Sequence, residues 1–147
     1  VETALDELVK QDDNLNQQSK LLQTVTGIGK VLCWNLLYKT NEFVSISDPR
    51  KMACYAGVVP FEHSSGTSIR GRSRVSNYAD RDLKGILHLA AMSSIRLDGE
   101  LRTYYLRKVA EGKNKMSVLN AVRNKILHRA FAVIKNNRPY EKRLVMS

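Results

Sequence analysis

The chain is poor in the residues that staple or interrupt a fold. Its 147 residues include two cysteines, three prolines and one tryptophan. Cys33 and Cys54 each sit among apolar residues, and neither has a second cysteine or a histidine at metal-ligand spacing. This argues against a disulfide framework and a zinc site and for reduced core thiols. No apolar run approaches the ~20 residues that a membrane span needs. The opening VETALDELVKQDD carries acid where a signal peptide carries base. The expected setting is the cytoplasm, with no membrane partner. Because the first residue is valine and the chain opens inside a helical pattern, a piece of a longer protein is expected.

Acid is the other shortage. Twenty-four Lys and Arg stand against 14 Asp and Glu, giving a net charge of +10 and a pI of about 9.8. A folded object with that field attracts polyanions and loses them as salt rises. Nucleic acid is the leading partner class, although a basic pI is common among soluble proteins and the motifs must decide. The length suits one domain with a core and at most an appendage.

The pattern is helical nearly throughout. Residues 1–20 read as a helical arm with Val1, Leu8, Leu15 and Leu22 at intervals of seven and Leu5 beside them. Such a seam suits a coiled coil, which would make the protein a homo-oligomer, or an amphipathic helix packed on its own domain. Residues 21–37 then place Gly27, Ile28 and Gly29 between two apolar helical stretches, the arrangement of a helix-hairpin-helix. There the glycines permit a tight turn and bring backbone N–H groups toward a phosphate, at the positive end of a helix starting near Lys30. Ile28 would pin the hairpin to the core, and small Cys33 would let the helices approach. A plain turn between two helices is the alternative.

Asp48-Pro49 predicts a helix start and Gly57 its end. Beyond residue 79, Leu83, Ile86, Leu87, Ala90, Ala91 and Ser94 keep the spacing of a buried helical face. A second helix is expected over residues 99–111, carrying Tyr104, Tyr105 and Leu106. A third is expected over 115–136, with Leu119, Val122, Ile126, Ala130, Val133 and Ile134 inward and Lys125, Arg129 and Lys135 outward. Pro139 stops the regular structure. The fold class is mostly all-α: a helix-hairpin-helix at 21–37 and a helical bundle at 79–137, with a long, partly extended Ser/Gly/Arg loop at 57–78 between them, all within one domain spanning 21–147.

That loop carries the candidate chemistry. Residues 55–81 read YAGVVPFEHSSGTSIRGRSRVSNYADR, with Ser64, Ser65 and Gly66 ahead of Arg70, Arg72, Arg74 and Arg81. A serine hydroxyl needs a base or a strong field to become a nucleophile. In an extended loop the adjacent His63 would point away from the serines, whereas guanidinium groups can hold a phosphate and absorb charge in its transition state. The residues alone favour a binding loop in which the serines only form a turn.

The ordered set of short motifs singles out a family. Thr24-Val25-Thr26-Gly27-Ile28-Gly29, then Ala56-Gly57-Val58-Val59-Pro60, Ser65-Gly66, Arg70-Gly71-Arg72, Val75-Ser76, Leu83-Lys84 and Ala90-Ala91, and finally Gly112-Lys113-Asn114-Lys115 through Lys125, resemble the C-terminal domain of insertion-sequence transposases of the IS110 type. The resemblance covers about residues 21–140. It implies a DNA recombinase whose serine before the glycine, here Ser65 with Ser64 as the alternative, attacks a DNA phosphate and forms a phosphoserine link. It further implies an RNase-H-fold domain that holds divalent metal outside this chain, DNA as substrate and, in some members, a guide RNA. No cofactor is expected within the chain itself. Thr26 stands where the family often has proline, and Ala79, Asp80 and Lys84 where many relatives show Gly, Asn and Arg. Asp80 would repel a phosphate unless Arg81 or Lys84 pairs with it.

Overall fold

Caps and glycines set the helix boundaries in the computed structural model, which describes residues 4, 12–58 and 80–141. Helix α1, Asp13–Gln23, starts where the Asp12 carboxylate accepts the N–H groups of Asn14 at 3.0 Å and Leu15 at 3.2 Å. Helix α2 spans Lys30–Lys39 behind Gly29. Helix α3, Pro49–Ala56, opens on Asp48, whose carboxylate accepts the Arg50 N–H at 2.9 Å, and ends at Gly57 with φ 70°. Helix α4 is Arg81–Arg96, capped by Asp80. Helix α5, Glu100–Ala110, is followed by Gly112 at φ 92°. Asn114 accepts two N–H groups to open α6, Lys115–Asn136, and Asn137 closes it at φ 50°. Each cap satisfies N–H or C=O groups that a helix end otherwise leaves bare. All regular structure among the described residues is α-helical, as the pattern predicted.

Helix α6 is the axis of the bundle and packs against α1, α3, α4 and α5. It buries Leu119, Val122, Ile126, Ala130 and Val133 as predicted, together with Val118, Arg123, Leu127 and Phe131. Leu83, Leu87 and Ala91 of α4, Leu32, Cys33 and Leu36 of α2, and Met52 and Ala56 of α3 complete the core. A leucine fully buried in this way stabilises by about 1.5–3 kcal/mol. Leu22 of α1 is wholly buried, and Leu15 packs against the same core. The seven-residue stripe therefore faces the chain's own domain at both positions the structure describes. Val1, Leu5 and Leu8 lie outside the described residues. Helix α5 contributes mainly Leu101; Tyr104 and Tyr105 are half-buried and Leu106 is exposed.

Between α2 and α3 the chain reverses through three successive left-handed residues, Asn41, Glu42 and Phe43, at φ 49°, 58° and 66°. Non-glycine residues hold that conformation only where surroundings fix it. Here Thr40 Oγ1 accepts the Phe43 N–H at 2.9 Å, and the Phe43 ring meets Phe131 edge-on at 4.9 Å.

Candidate nucleic-acid interface

The turn from Thr24 to Gly29 joins α1 to α2, and its two glycines meet different demands. Gly27 has φ 96° and faces α4, where a Cβ would overlap Ser94 Oγ and stand 3.2 Å from the Ala90 carbonyl oxygen. Packing and backbone together require glycine there. Ile28, 5% exposed, pins the turn to the core as expected. The close approach of α1 and α2 is visible at Cys33, whose thiol donates to Ser19 Oγ at 3.5 Å. Burial pushes that thiol's pKa up, so Cys33 is a packing residue and not a reactive one. Gly29 lies on the outside, where a Cβ would meet open space. No side chain caps the first turn of α2, and Lys30 is exposed beside it.

A second cluster lies at the other end of α2. The Asp80 N–H donates to the Tyr55 carbonyl at 2.7 Å, and the Asn120 side chain donates to the Val58 carbonyl at 2.9 Å. Val58 is wholly buried, and its own N–H bonds to Ala53 at 3.0 Å. The two residues that flank segment 59–79 are thereby tied to the C-terminal end of α3. Asp80 also accepts the Leu83 N–H at 2.9 Å and forms an ion pair with Lys39. Burial works to raise the Asp80 carboxyl, but the hydrogen bonds from Lys39 and Leu83 outweigh it, and the pKa is lowered. The Asp80 hydrogen bond outweighs burial at Lys39 and raises its ammonium. The partner of Asp80 is thus Lys39, not Arg81 or Lys84, and its negative charge is matched before any phosphate approaches.

Arg81, the first residue of α4, is exposed next to this clamp. Lys30 lies at the opposite end of α2 from Lys39, roughly 14 Å along the axis at 1.5 Å per residue. Ser64, Ser65, Arg70, Arg72 and Arg74 fall outside the described residues, as does the expected loop apart from Gly57 and Val58.

Sequence reasoning missed several polar residues. Lys39 and Asn120 looked like ordinary surface positions. Arg123 is only 5% exposed on the inner side of α6, in contact with the His88 ring, and its Nε has no partner. Burial lowers its pKa. Its spacing from Leu119 and Ile126 was the available signal. Arg129, expected on the polar side, bonds Glu100 at 2.9 Å and lies over the Tyr140 ring. Among the described residues no group of three or more His, Cys, Asp or Glu could hold a metal ion. No helix there is long and apolar enough to cross a membrane.

The described residues thus form an all-α domain in a chain of net charge +10, with no side chain capping the first turn of α2 and an ion pair at the start of α4. The chain belongs to the transposase IS116/IS110/IS902 family, whose model matches residues 19–106. It is 31% identical to the pilin gene-inverting protein of Moraxella bovis over 94% of this chain and 43% of that protein. Likewise it is 31% identical to the insertion element IS110 uncharacterized 43.6 kDa protein of Streptomyces coelicolor, over 86% of this chain and 31% of the relative. The insertion element IS900 uncharacterized 42 kDa protein of Mycobacterium paratuberculosis is 26% identical over 92% of this chain and 34% of its own length. The chain spans less than half the length of these curated relatives.

Proposed function

We propose that the chain is the DNA-binding and catalytic C-terminal part of a transposase that cuts and rejoins DNA through a serine nucleophile. The observation that carries this reading is the clamp at Tyr55, Val58, Asp80 and Asn120. It ties down Val58 and Asp80, which flank in sequence the segment bearing Ser64, Ser65, Arg70, Arg72 and Arg74, with Asp80 next to exposed Arg81. Relatives named for inverting a pilin gene and for insertion elements support DNA rearrangement as the process.

In this mechanism the Ser65 hydroxyl attacks a backbone phosphorus. A bond forms between Oγ and phosphorus, the bond to the leaving sugar oxygen breaks, and the serine proton passes to a base while the leaving oxygen takes up a proton. Attack of a sugar hydroxyl on the phosphoserine reverses the step and rejoins DNA. The arginines stabilise charge on the phosphoryl oxygens. Ser64 is the alternative nucleophile. Helices α1 and α2 act as a helix-hairpin-helix whose outer glycine, Gly29, offers the N–H groups of the α2 start to a phosphate beside Lys30. Gly27 supports that turn from the inside. The full protein adds an RNase-H-fold domain whose carboxylates hold divalent metal, assembles as a homo-oligomer through the residues preceding α1, uses a guide RNA and works in the cytoplasm.

Transposition by the full-length protein carrying Ser65→Ala, Ser64→Ala and both together tests the reading. Loss with Ser65→Ala alone is expected. Full activity in the double variant overturns the nucleophile and leaves the second reading, a non-catalytic nucleic-acid-binding module, which the +10 charge by itself favours. Sedimentation with and without residues 1–11 tests the oligomer, since that deletion leaves α1 whole.

A further inference from the structure

The hairpin of α5 and α6 gathers more positive charge than the acids beside it can match. The Lys125 ammonium lies 4.5 Å from the centre of the Tyr104 ring, and the Arg107 guanidinium lies 5.8 Å from the same centre. Lys108 is on the next position of α5, and exposed Lys113 and Lys115 flank the turn into α6. The acids near them are already engaged: Glu111 pairs with Lys108 at 3.3 Å and Glu100 with Arg129 at 2.9 Å. Burial, then the like charges of Arg129, Arg107 and Lys108, lower the pKa of Lys125. Protonated Lys125 is therefore a cost to the folded state at neutral pH, and an arriving anion would relieve it.

Position separates this cluster from the clamp. Lys125 is five residues beyond Asn120, about 140° around α6 at 3.6 residues per turn, so the two face different ways. Lys115 and Lys125 are ten residues apart, roughly 15 Å along the same axis. The Tyr104 ring is half-buried and already lies against two cations, which compete with the stacking of an unstacked base on which single-strand binders rely.

We infer that the α5–α6 hairpin is a second, sequence-independent contact for the phosphate backbone of duplex DNA, formed by Arg107, Lys108, Lys113, Lys115 and Lys125. It rests on the reading of the chain as the DNA-binding part of a transposase and adds to it a contact apart from the clamp at Tyr55, Val58, Asp80 and Asn120. Contacts of this type position a protein on the duplex and leave base reading to other surfaces.

The test measures binding of the 147-residue chain to a random-sequence duplex DNA across a salt series, for wild type and for Arg107→Gln with Lys125→Gln. Each cation that neutralises a phosphate contributes about 0.9 to the slope of log affinity on log salt, so the double variant should be shallower by about 1.8. Its thermal midpoint should change little, because relief of like-charge repulsion offsets the lost contacts with the Tyr104 ring; a merely structural pair would lower it and leave the slope unchanged. An unchanged slope and affinity overturns the site while the serine reading stands, since that reading is decided separately by transposition of the Ser64 and Ser65 variants. Weaker binding confined to single-stranded RNA of the same length overturns the assignment to duplex DNA.

Discussion

The two ends of α4 are finished by opposite means. At its start Asp80 is a charged hub: it caps the helix through the Leu83 N–H, pairs with Lys39, and reaches back through its own N–H to Tyr55. Near its end the helix is smooth. Ser94 donates to the Ala90 carbonyl at 2.7 Å, and Gly27 rests against that bond with no side chain between. Shape alone holds the second contact, so it tolerates no added atom. The first is held by charge and depends on pH. The charged end is also the one that follows the arginine-rich segment in sequence.

The comparison breaks most sharply at Gly27. Gly27→Ala introduces a Cβ that overlaps Ser94 Oγ and crowds the Ala90 carbonyl and Ile126, on a backbone at φ 96°. Overpacking and left-handed strain together should cost about 2–4 kcal/mol, read by chemical denaturation. A loss below about 1 kcal/mol would mean that the turn slides off α4 easily and that shape does not hold that end.

The charged end should answer to acid. Asn caps helices about as well as Asp, so Asp80→Asn removes the ion pair while keeping a capping group. The pair is only 17% and 11% exposed at its two side chains, and its loss should cost about 1–2 kcal/mol at neutral pH. The lowered Asp80 pKa stabilises the fold above the unfolded carboxyl value of about 3.9 and is lost as pH falls through the folded value. The raised Lys39 pKa stabilises below about 10.4 and is lost as pH climbs through its folded value. Wild type and variant should therefore differ across the neutral range and converge in acid below pH 4. A constant difference down to the acid limit would show that the carboxylate's charge is not what matters. Asn120→Ala, which leaves the buried Val58 carbonyl without its donor, should cost about 1 kcal/mol with no such pH dependence.

What could be read from the sequence divides along the same line. The bounds of α6 and the Asp48-Pro49 start and Gly57 stop of α3 follow from local chemistry, because a cap acts within a few residues of itself. The buried stripe of α4 follows from its period. Gly27, Ile28 and Cys33 announced a tight turn between close helices, but not that Ser94 is what Gly27 rests on. The clamp was hidden: Lys39 and Asp80 are 41 positions apart, Val58 and Asn120 are 62, and His88 and Arg123 are 35. Lys39, Asn120, His88 and Arg123 look like ordinary polar residues until the helices cross, and Asp80, which asked for a basic partner, finds it in Lys39 and not in Arg81 or Lys84. Arg129 was expected on the polar side of α6, but the Glu100 that meets it there comes from another helix 29 positions away.

Gly29 gives the smallest effect and the finest test of the division between inner and outer glycine. Its φ of −94° and extended ψ are those of an ordinary N-cap, and the space beside it is open. Serine there can accept an N–H of the first turn of α2 that no side chain now caps, so Gly29→Ser should stabilise the chain by a few tenths of a kcal/mol. The same hydroxyl occupies the N–H group that a phosphate would otherwise take. If the outer glycine serves DNA, stability should rise slightly while affinity for duplex DNA falls. Gains in both would assign the α2 start to structure alone, with DNA held elsewhere on the domain.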